Sequence, residues 1–256
     1  MATIDSDSAR PCDWIEPDWP APPGVRAMAT TRHGGVSLPP FDQLNLGDHV
    51  GDEPSAVAEN RCRLQTALQL PAQPVWLNQI HGIDVVDAGH TLNVAAADAS
   101  YTVDEGVVCA VMSADCLPVL LCDLNGRCVA AVHAGWRGLA DGVIEATVRR
   151  MVRRSDAGLM AWLGPAIGAQ AFEVGDEVRQ TFLKADPNSV AAFERSGNGR
   201  WLADLYALAR QRLQRLGVEH IYGGHWCTFR ESGLFFSYRR DGATGRMATL
   251  IWMESS

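Results

Sequence analysis

The sequence predicts a single α+β domain, an α/β sandwich with a mixed, largely antiparallel sheet core. Three observations point there. Short runs rich in valine, leucine and isoleucine crowd the middle of the chain and outnumber the helical stretches. Many of these runs are joined by loops of hairpin length, which antiparallel strands accept and parallel strands do not. No linker, repeat or low-complexity segment breaks the pattern across the 256 residues, a length that one strand-dominated domain commonly fills.

The elements follow in order. The first dozen residues are polar, and a proline-rich entry follows at Pro17, Pro20, Pro22 and Pro23. Residues 1–24 therefore read as an N-terminal extension, partly disordered, and 25–256 as one domain. A strand is expected over 25–32, ended by Gly34–Gly35. A helix is expected over 56–68, with Val57, Leu64 and Leu68 on one side. Strands are expected over 74–80, 84–87, 106–113, 118–123 and 127–133. Asn125–Gly126 joins the last two, because this pair accepts the positive φ angles of a type I′ turn. Residues 139–152 read as one helix, since Leu139, Val143, Ile144, Val148, Met151 and Val152 recur at helical spacing. Its arginines, Arg149, Arg150, Arg153 and Arg154, favour the negative end of the helix dipole. A short buried strand is expected over 161–163. A second helix is expected over 203–216, with Leu205, Leu208, Ala209 and Leu216 on its face and Gly217 as its stop. In the tail, 234–238 is expected to pair with 247–252 around Asp241-Gly242-Ala243-Thr244-Gly245.

Composition narrows the function. Hydrophobic residues make up 47% and charged residues 20%, the globular range. A chain this long buries roughly 70–75% of its unfolded surface, so it needs no disulfide or structural metal to fold. A metal found here would serve chemistry. The net charge of −8 repels a phosphate backbone and argues against a nucleic-acid partner. An anionic small substrate would need a local cluster of arginines. The seven cysteines, Cys12, Cys62, Cys109, Cys116, Cys122, Cys128 and Cys227, are odd in number and form no C-x-x-C pair. They argue against a secreted disulfide framework and for a reducing compartment. Residues 1–13 lack an apolar signal core, and no apolar run approaches the roughly 18 residues of a membrane span. The expected location is the cytoplasm, with no membrane partner.

Three segments look unlike pure structure. They are Asn78-Gln79-Ile80-His81-Gly82, Ser113-Ala114-Asp115-Cys116-Leu117-Pro118 and Val132-His133-Ala134-Gly135-Trp136-Arg137-Gly138. Each puts a nitrogen or sulfur ligand near the end of an apolar strand, beside a glycine or proline that stops it. Strand ends face a surface where a ligand can approach. Two imidazoles and one thiolate suit zinc, and three protein ligands leave a fourth position open, which is the catalytic pattern. The spacings of His81, Cys116 and His133 match no zinc-finger rule. Each residue alone also fits an ordinary structural role, so the three carry weight only together.

The motifs also occur in a familiar order. Thr30-Thr31-Arg32-His33-Gly34-Gly35-Val36-Ser37 is followed by Asn45-Leu46 and by the three segments above. Gly164-Pro165-Ala166-Ile167-Gly168, Phe172-Glu173-Val174-Gly175, Phe235-Phe236-Ser237-Tyr238-Arg239-Arg240-Asp241-Gly242 and Thr244-Gly245-Arg246 close the set. From about residue 25 to 252 the chain resembles the YfiH family, variously called laccase-domain or polyphenol oxidase proteins, peptidoglycan editing factors and purine nucleoside phosphorylases. The resemblance implies an α/β sandwich of its own type, distantly like a toxin deamidase with a Cys–His site. It implies one zinc per chain on His81, Cys116 and His133, and copper as a lesser alternative. It further implies phosphorolysis of adenosine, inosine and methylthioadenosine, with adenosine deamination beside it.

Such chemistry needs a nucleoside and phosphate as small-molecule partners. Arginine grips phosphate with a bidentate fork, so Arg32, Arg137, Arg239, Arg240 and Arg246 are the candidates, with Arg32 and Arg239 favoured because each directly follows an apolar strand. Gly34–Gly35 could add backbone donors as an anion nest. A zinc would orient phosphate or activate water. Asp115 could steady a ligand or cap a turn, and Glu173 could act as acid or base or join an ion pair. His225 and Cys227 suggest a weaker second metal pair. Trp136 and Trp226 could stack a purine or pack the core. Two rival functions stand beside this one. One is a cysteine hydrolase editing peptidoglycan precursors, with Cys116 as nucleophile and His133 as base. The other is a copper-dependent polyphenol oxidase, disfavoured because only two of seven histidines fall into one cluster. A non-enzymatic zinc module is weaker still, since structural zinc takes four protein ligands.

Overall fold

The computed structural model describes residues 13–91 and 93–255. Residues 1–12 of the expected N-terminal extension lie outside the described residues. In chain order the elements are β1 (Trp14–Ile15), β2 (Val25–Thr30), α1 (Pro54–Ala67), β3 (Leu77–Asn78), β4 (Val85–Asp87), β5 (Ala95–Ala96), β6 (Ala99–Thr102), β7 (Cys109–Ser113), β8 (Leu117–Asp123), β9 (Val129–Ala134), α2 (Trp136–Asp141), α3 (Val143–Met151), β10 (Leu159–Leu163), β11 (Glu173–Val174), α4 (Asp176–Ala185), β12 (Phe193–Gly197), β13 (Arg200–Ala203), α5 (Leu205–Arg215), β14 (His220–Gly223), α6 (Tyr238–Asp241) and β15 (Met247–Met253).

Two sheets carry the fold. One has the order β14-β10-β8-β9-β6-β4 and the other β1-β2-β15-β7. The first is antiparallel through its centre and parallel at its two edges, β10 with β14 and β4 with β6. The second is antiparallel throughout. The expected α+β sandwich with a mixed, largely antiparallel core is what forms.

The hairpin β8–β9 is the centre of the core, and both its faces are covered. Leu117, Val119, Leu121 and Val132 pack with Val143, Ile144 and Leu208 of the helical layer. Leu120, Cys122 and Val129 pack with Val111 and Ile251 of the second sheet. The outer face of that second sheet, through Ala110, Leu250 and Trp252, is covered by Leu64 of α1. Burial on both faces explains why β8 and β9 are continuously apolar instead of alternating. Each large aliphatic side chain buried there contributes about 1.5–3 kcal/mol.

Three expectations are corrected by local chemistry. The hairpin turn is not type I′. Gly126 N donates to Asp123 O, and only Gly126 takes a positive φ, of 69°; Asn125 does not. The Asp123 carboxylate accepts from Arg127 N and Cys128 N and so closes the turn. The helix expected over 139–152 is split. Gly142, at φ 102°, ends α2 and begins α3, and Arg212 braces the break by bonding Ala140 O and Glu145. The segment 234–238 is no strand. Leu234 N and Phe235 N both donate to Glu231 O, which makes a turn where the strand was expected to begin. Arg240 takes the carbonyls of Thr228, Phe229 and Phe235. β15 pairs instead with β2 and β7. The helix α4, the hairpin β12–β13 and the strand β14 were not anticipated.

The helix expected over 203–216 forms as α5, capped by Asp204 accepting from Ala207 N and closed by Gly217 at φ 77°. Trp14 and Ile15 pair with Thr30 and Ala29 and extend the second sheet. Among the described residues no helix is long and apolar enough to cross a membrane.

Candidate metal centre and its cleft

Strand register builds the centre. In the β8–β9 hairpin Pro118 lies opposite His133 and Leu117 opposite Ala134. Cys116, just before β8, is thereby carried to the His133 end of the hairpin. On the other side of β9, β6 pairs Ala99 with Val132, so Asp98 also sits beside His133. His81 comes from the loop between β3 and β4 and adopts φ 60°.

Asp98 joins the two histidines. It is fully buried, and its carboxylate accepts the His133 Nδ1–H at 2.8 Å. The same carboxylate accepts from Ile80 N at 3.2 Å, His81 N at 2.9 Å and Gly82 N at 2.6 Å. Burial alone would raise the Asp98 pKa, but His133 and the N–H groups of Gly82 and His81 outweigh it and hold the carboxyl below its ordinary value. With Nδ1–H committed to Asp98, the Nε2 of His133 is the nitrogen left for a ligand. Asp98 was missed in the sequence. Its one signal is an acid inside the apolar run Val94-Ala95-Ala96-Ala97-Asp98-Ala99.

The ligand atoms of His81, Cys116 and His133 lie within 4.8 Å of one another, so the group can hold a metal ion. Cys116 Sγ is 3.8 Å from His81 Nε2, near the ~3.6 Å separation of sulfur and nitrogen across a tetrahedral zinc. The two imidazole rings meet edge to face at 4.9 Å. Gly135 completes the cradle. A Cβ there would stand 2.9 Å from His81 Cδ2 and 3.0 Å from Cys116 Sγ, leaving no room for a side chain. Burial opposes the Cys116 thiolate, yet His133 and His81 more than compensate and bring the thiol down to about 6. Burial likewise opposes the charged His133, but Cys116 and Asp98 raise it to about 9. Without metal, the pair is therefore thiolate and imidazolium at neutral pH, and a thiolate is the form a metal binds.

The centre opens into a cleft of about 420 Å³ lined by His81, Cys116 and His133 together with His49, Tyr238 and Arg246. Arg246 is the one candidate arginine in its wall. Arg32 gives its guanidinium to Asp42 O and Ser232 O. Arg240 is committed to the three carbonyls above and to Asp241. Arg239 reaches Glu173 O and lies over Phe172, and exposed Arg137 lies over Trp136. The Gly34–Gly35 turn packs inward, with Gly34 N on Gln43 Oε1 and Val36 N on Asn60 Oδ1.

Asp115, at φ 90°, accepts from Thr228 Oγ1 and from Arg239 N, both at 2.6 Å. It thus ties the Thr228 loop and α6 to the segment that carries Cys116. Glu173 bonds Ser196 and pairs with Arg200 on the β11–β13 sheet. His225 lies against Trp226, and Cys227 Sγ accepts from Gly168 N; among the described residues neither belongs to a donor group of three. Trp226 packs on Trp162.

A single-domain α+β sandwich that presents two histidines and a cysteine at one cleft has the donor set of a metal centre. The sequence matches, over residues 26–254, the family described as multi-copper polyphenol oxidoreductase laccase. It is 57% identical over 240 residues to the purine nucleoside phosphorylase YfiH of Shigella flexneri, covering 93% of this chain and 98% of that one. A protein from Neisseria meningitidis superposes with a TM-score of 0.90 at 52% identity, covering 94% and 99%. YlmD from Geobacillus stearothermophilus does so with a TM-score of 0.88 at 34% identity, covering 94% and 96%. The chain belongs to the YfiH family of laccase-domain proteins.

Proposed function

We propose that the protein is a zinc-dependent purine nucleoside phosphorylase acting on adenosine, inosine and methylthioadenosine, with adenosine deamination as a side activity. The observation that carries this reading is the meeting of His81, Cys116 and His133 with Arg246 in one cleft. The relatives named for this activity support it. Zinc is the metal that two imidazoles and a thiolate suit best, and when bound it supplies a Lewis acid with an open position.

In phosphorolysis an oxygen of phosphate forms a bond to C1′ as the C1′–N9 bond breaks, and the purine leaves with the bonding pair and takes up a proton. The chain's own part is positioning and charge. Arg246 holds the anion in the cleft beside the three ligands. Asp98 keeps His133 in one tautomer and one orientation. The exposed ring of Tyr238 gives the base an apolar surface. A reducing, cytoplasmic compartment agrees with this reading, because the six described cysteines are free.

The test is incubation with inosine. Hypoxanthine should appear with ribose 1-phosphate, and only with phosphate present. Adenosine should yield some inosine without phosphate. Base release that is absent, or equal without phosphate, overturns the reading. One observation favours a second reading, a cysteine hydrolase acting on peptidoglycan precursors: Cys116, His133 and Asp98 also form a nucleophile–base–acid array. A copper phenol oxidase is less well supported. Among the described residues no other donor group joins two histidines, and multi-copper sites need many.

A further inference from the structure

We infer that Arg246 and His49 together form a phosphate subsite beside the metal centre, built and held by Asn45 and Gly47. This rests on the phosphorylase reading for its role in turnover, but not for the binding of the anion. His49 lies on the loop between β2 and α1, far in sequence from Arg246, yet both line the cleft that holds His81, Cys116 and His133.

The pairing is built by a buried amide. Asn45 is fully buried, and its Oδ1 accepts from Arg246 N at 2.9 Å and from Gly47 N at 3.0 Å. Its Nδ2 donates to Gly47 O and to Asp52. Leu46 N in turn donates to Arg246 O. One side chain thus fixes both the strand entry that carries Arg246 and the turn that presents His49. Gly47 is needed for closeness, since a Cβ there would stand 2.8 Å from Arg246 Cγ.

The cation is poised for a ligand. Arg246 Nη1 donates to Thr244 O and Gly245 O. Among the described residues, Nε and Nη2 have no protein partner. Burial and then the Arg246 charge lower the His49 pKa, with Asp48 opposing and Arg61 adding to the effect, so the imidazole beside Arg246 favours its neutral form. A dianion between them would offset the Arg246 charge, favour the protonated imidazole and accept N–H bonds from both. The adjacent carboxylate, Asp48, pairs with Arg61 at 3.3 Å, borders a different groove and lies 3.5 Å from His49 Nδ1. With Nδ1 turned to Asp48, Nε2 is the imidazole nitrogen left for a ligand.

The experiment uses the metal-loaded protein and inorganic phosphate as the probe, with no nucleoside, in calorimetric titration. The Km for phosphate in inosine phosphorolysis is measured in parallel. Arg246→Met should weaken phosphate binding about thirtyfold, the effect of losing hydrogen bonds to a charged group. Arg246→Lys should recover part of it. His49→Ala should weaken binding about fivefold. Metal content and unfolding midpoint of His49→Ala should stay unchanged, which keeps the test valid if Arg246→Met folds poorly. The subsite is overturned if the wild-type protein binds no phosphate, if neither variant changes affinity or the phosphate Km, or if metal is lost along with phosphate. Phosphate bound through these residues with no base released from inosine would leave the subsite standing and remove the phosphorylase reading. Phosphorolysis with an unaltered phosphate Km in both variants would do the reverse.

Discussion

Two clefts of nearly equal volume flank the loop that carries Asp48 and His49, and only one has the makings of an active site. The cleft at the metal centre measures about 420 Å³ and the groove along α1 about 430 Å³. His49 borders the first and Asp48 the second. Along α1, the one arginine that lines the groove is already committed to the fold. Arg61 lies over the Trp76 ring at 4.4 Å and gives Nε and Nη2 to Leu46 O. At the metal centre, three ligand atoms lie within 4.8 Å of one another and, among the described residues, Arg246 keeps donors without a protein partner. Space therefore does not mark the site. The mark is a set of ligand and donor atoms that the protein orients without using up, at a real energetic cost in an interior where an unpaired polar group costs about 1–3 kcal/mol.

The comparison is broken most directly at the ligands. His81→Ala combined with His133→Ala should remove the metal and lower turnover by at least about 10³, the scale of losing several kcal/mol of charge stabilisation. The chain should still fold, because its core is large. Its midpoint should fall, since Asp98 is left buried without its imidazole partner, a cost of about 3–5 kcal/mol. Elemental analysis and thermal unfolding check both. Full metal occupancy in that variant would sink the assignment. Asp98→Asn comes next. The amide keeps the shape but weakens its hold on His133 Nδ1–H and on the three N–H groups of 80–82. Metal affinity should fall about 10–100-fold, read by competition against a chelator. Unchanged affinity would reduce Asp98 to a fold-stabilising role.

The thiol gives a third test, and here the sign matters. A pKa lowered to about 6 means that metal-free Cys116 gains its thiolate as pH rises through about 6. In chelated protein, alkylation by iodoacetamide should therefore climb between about pH 5 and 7 and then level. With metal bound, the sulfur is committed and should react slowly. Cys62 is also exposed, so the label must be read peptide by peptide. Under the hydrolase reading the result inverts: activity survives chelation, and alkylating the untreated protein abolishes it.

How much of this was legible in the sequence follows from what each residue's job requires. Cys116, His133 and His81 could be read because ligands at strand ends beside Gly135, Pro118 and Gly82 are rare in pure structure. The hairpin β8–β9 and the helix α5 could be read because burial on two faces, or on one stripe, leaves a periodic trace. Asp98 could not. It meets His133 only through the β6–β9 register, which pairs residues some 35 positions apart and leaves no local pattern. His49 was hidden in the same way by Asn45 and Arg246. Arg32 and Arg240 stood in motifs as strong as that of Arg246, but motif membership says nothing of whether a guanidinium is spent on backbone carbonyls. Gly142 had the composition of a helix interruption, and the apolar spacing on either side of it masked the break.

The smallest expected effect on catalysis lies in the α1 groove, and it is the sharpest check on the comparison. Trp76 packs beside the cluster of Leu46, Leu64 and Trp252 and carries Arg61 on its ring. Trp76→Ala removes apolar area and a partly exposed cation–π contact, the latter alone worth about 0.5–1 kcal/mol. A total loss of about 2–3 kcal/mol is expected for a half-buried ring, which lowers the midpoint of a chain this size by roughly 4–12 °C. Metal content should not change. Arg61 keeps its two bonds to Leu46 O, so the turn at Gly47 stays in place, and kcat/KM for inosine should stay within about twofold at a temperature where the variant is folded. A drop of tenfold or more with metal still bound would mean that the groove takes part in turnover, and the distinction between the two clefts would have to be given up.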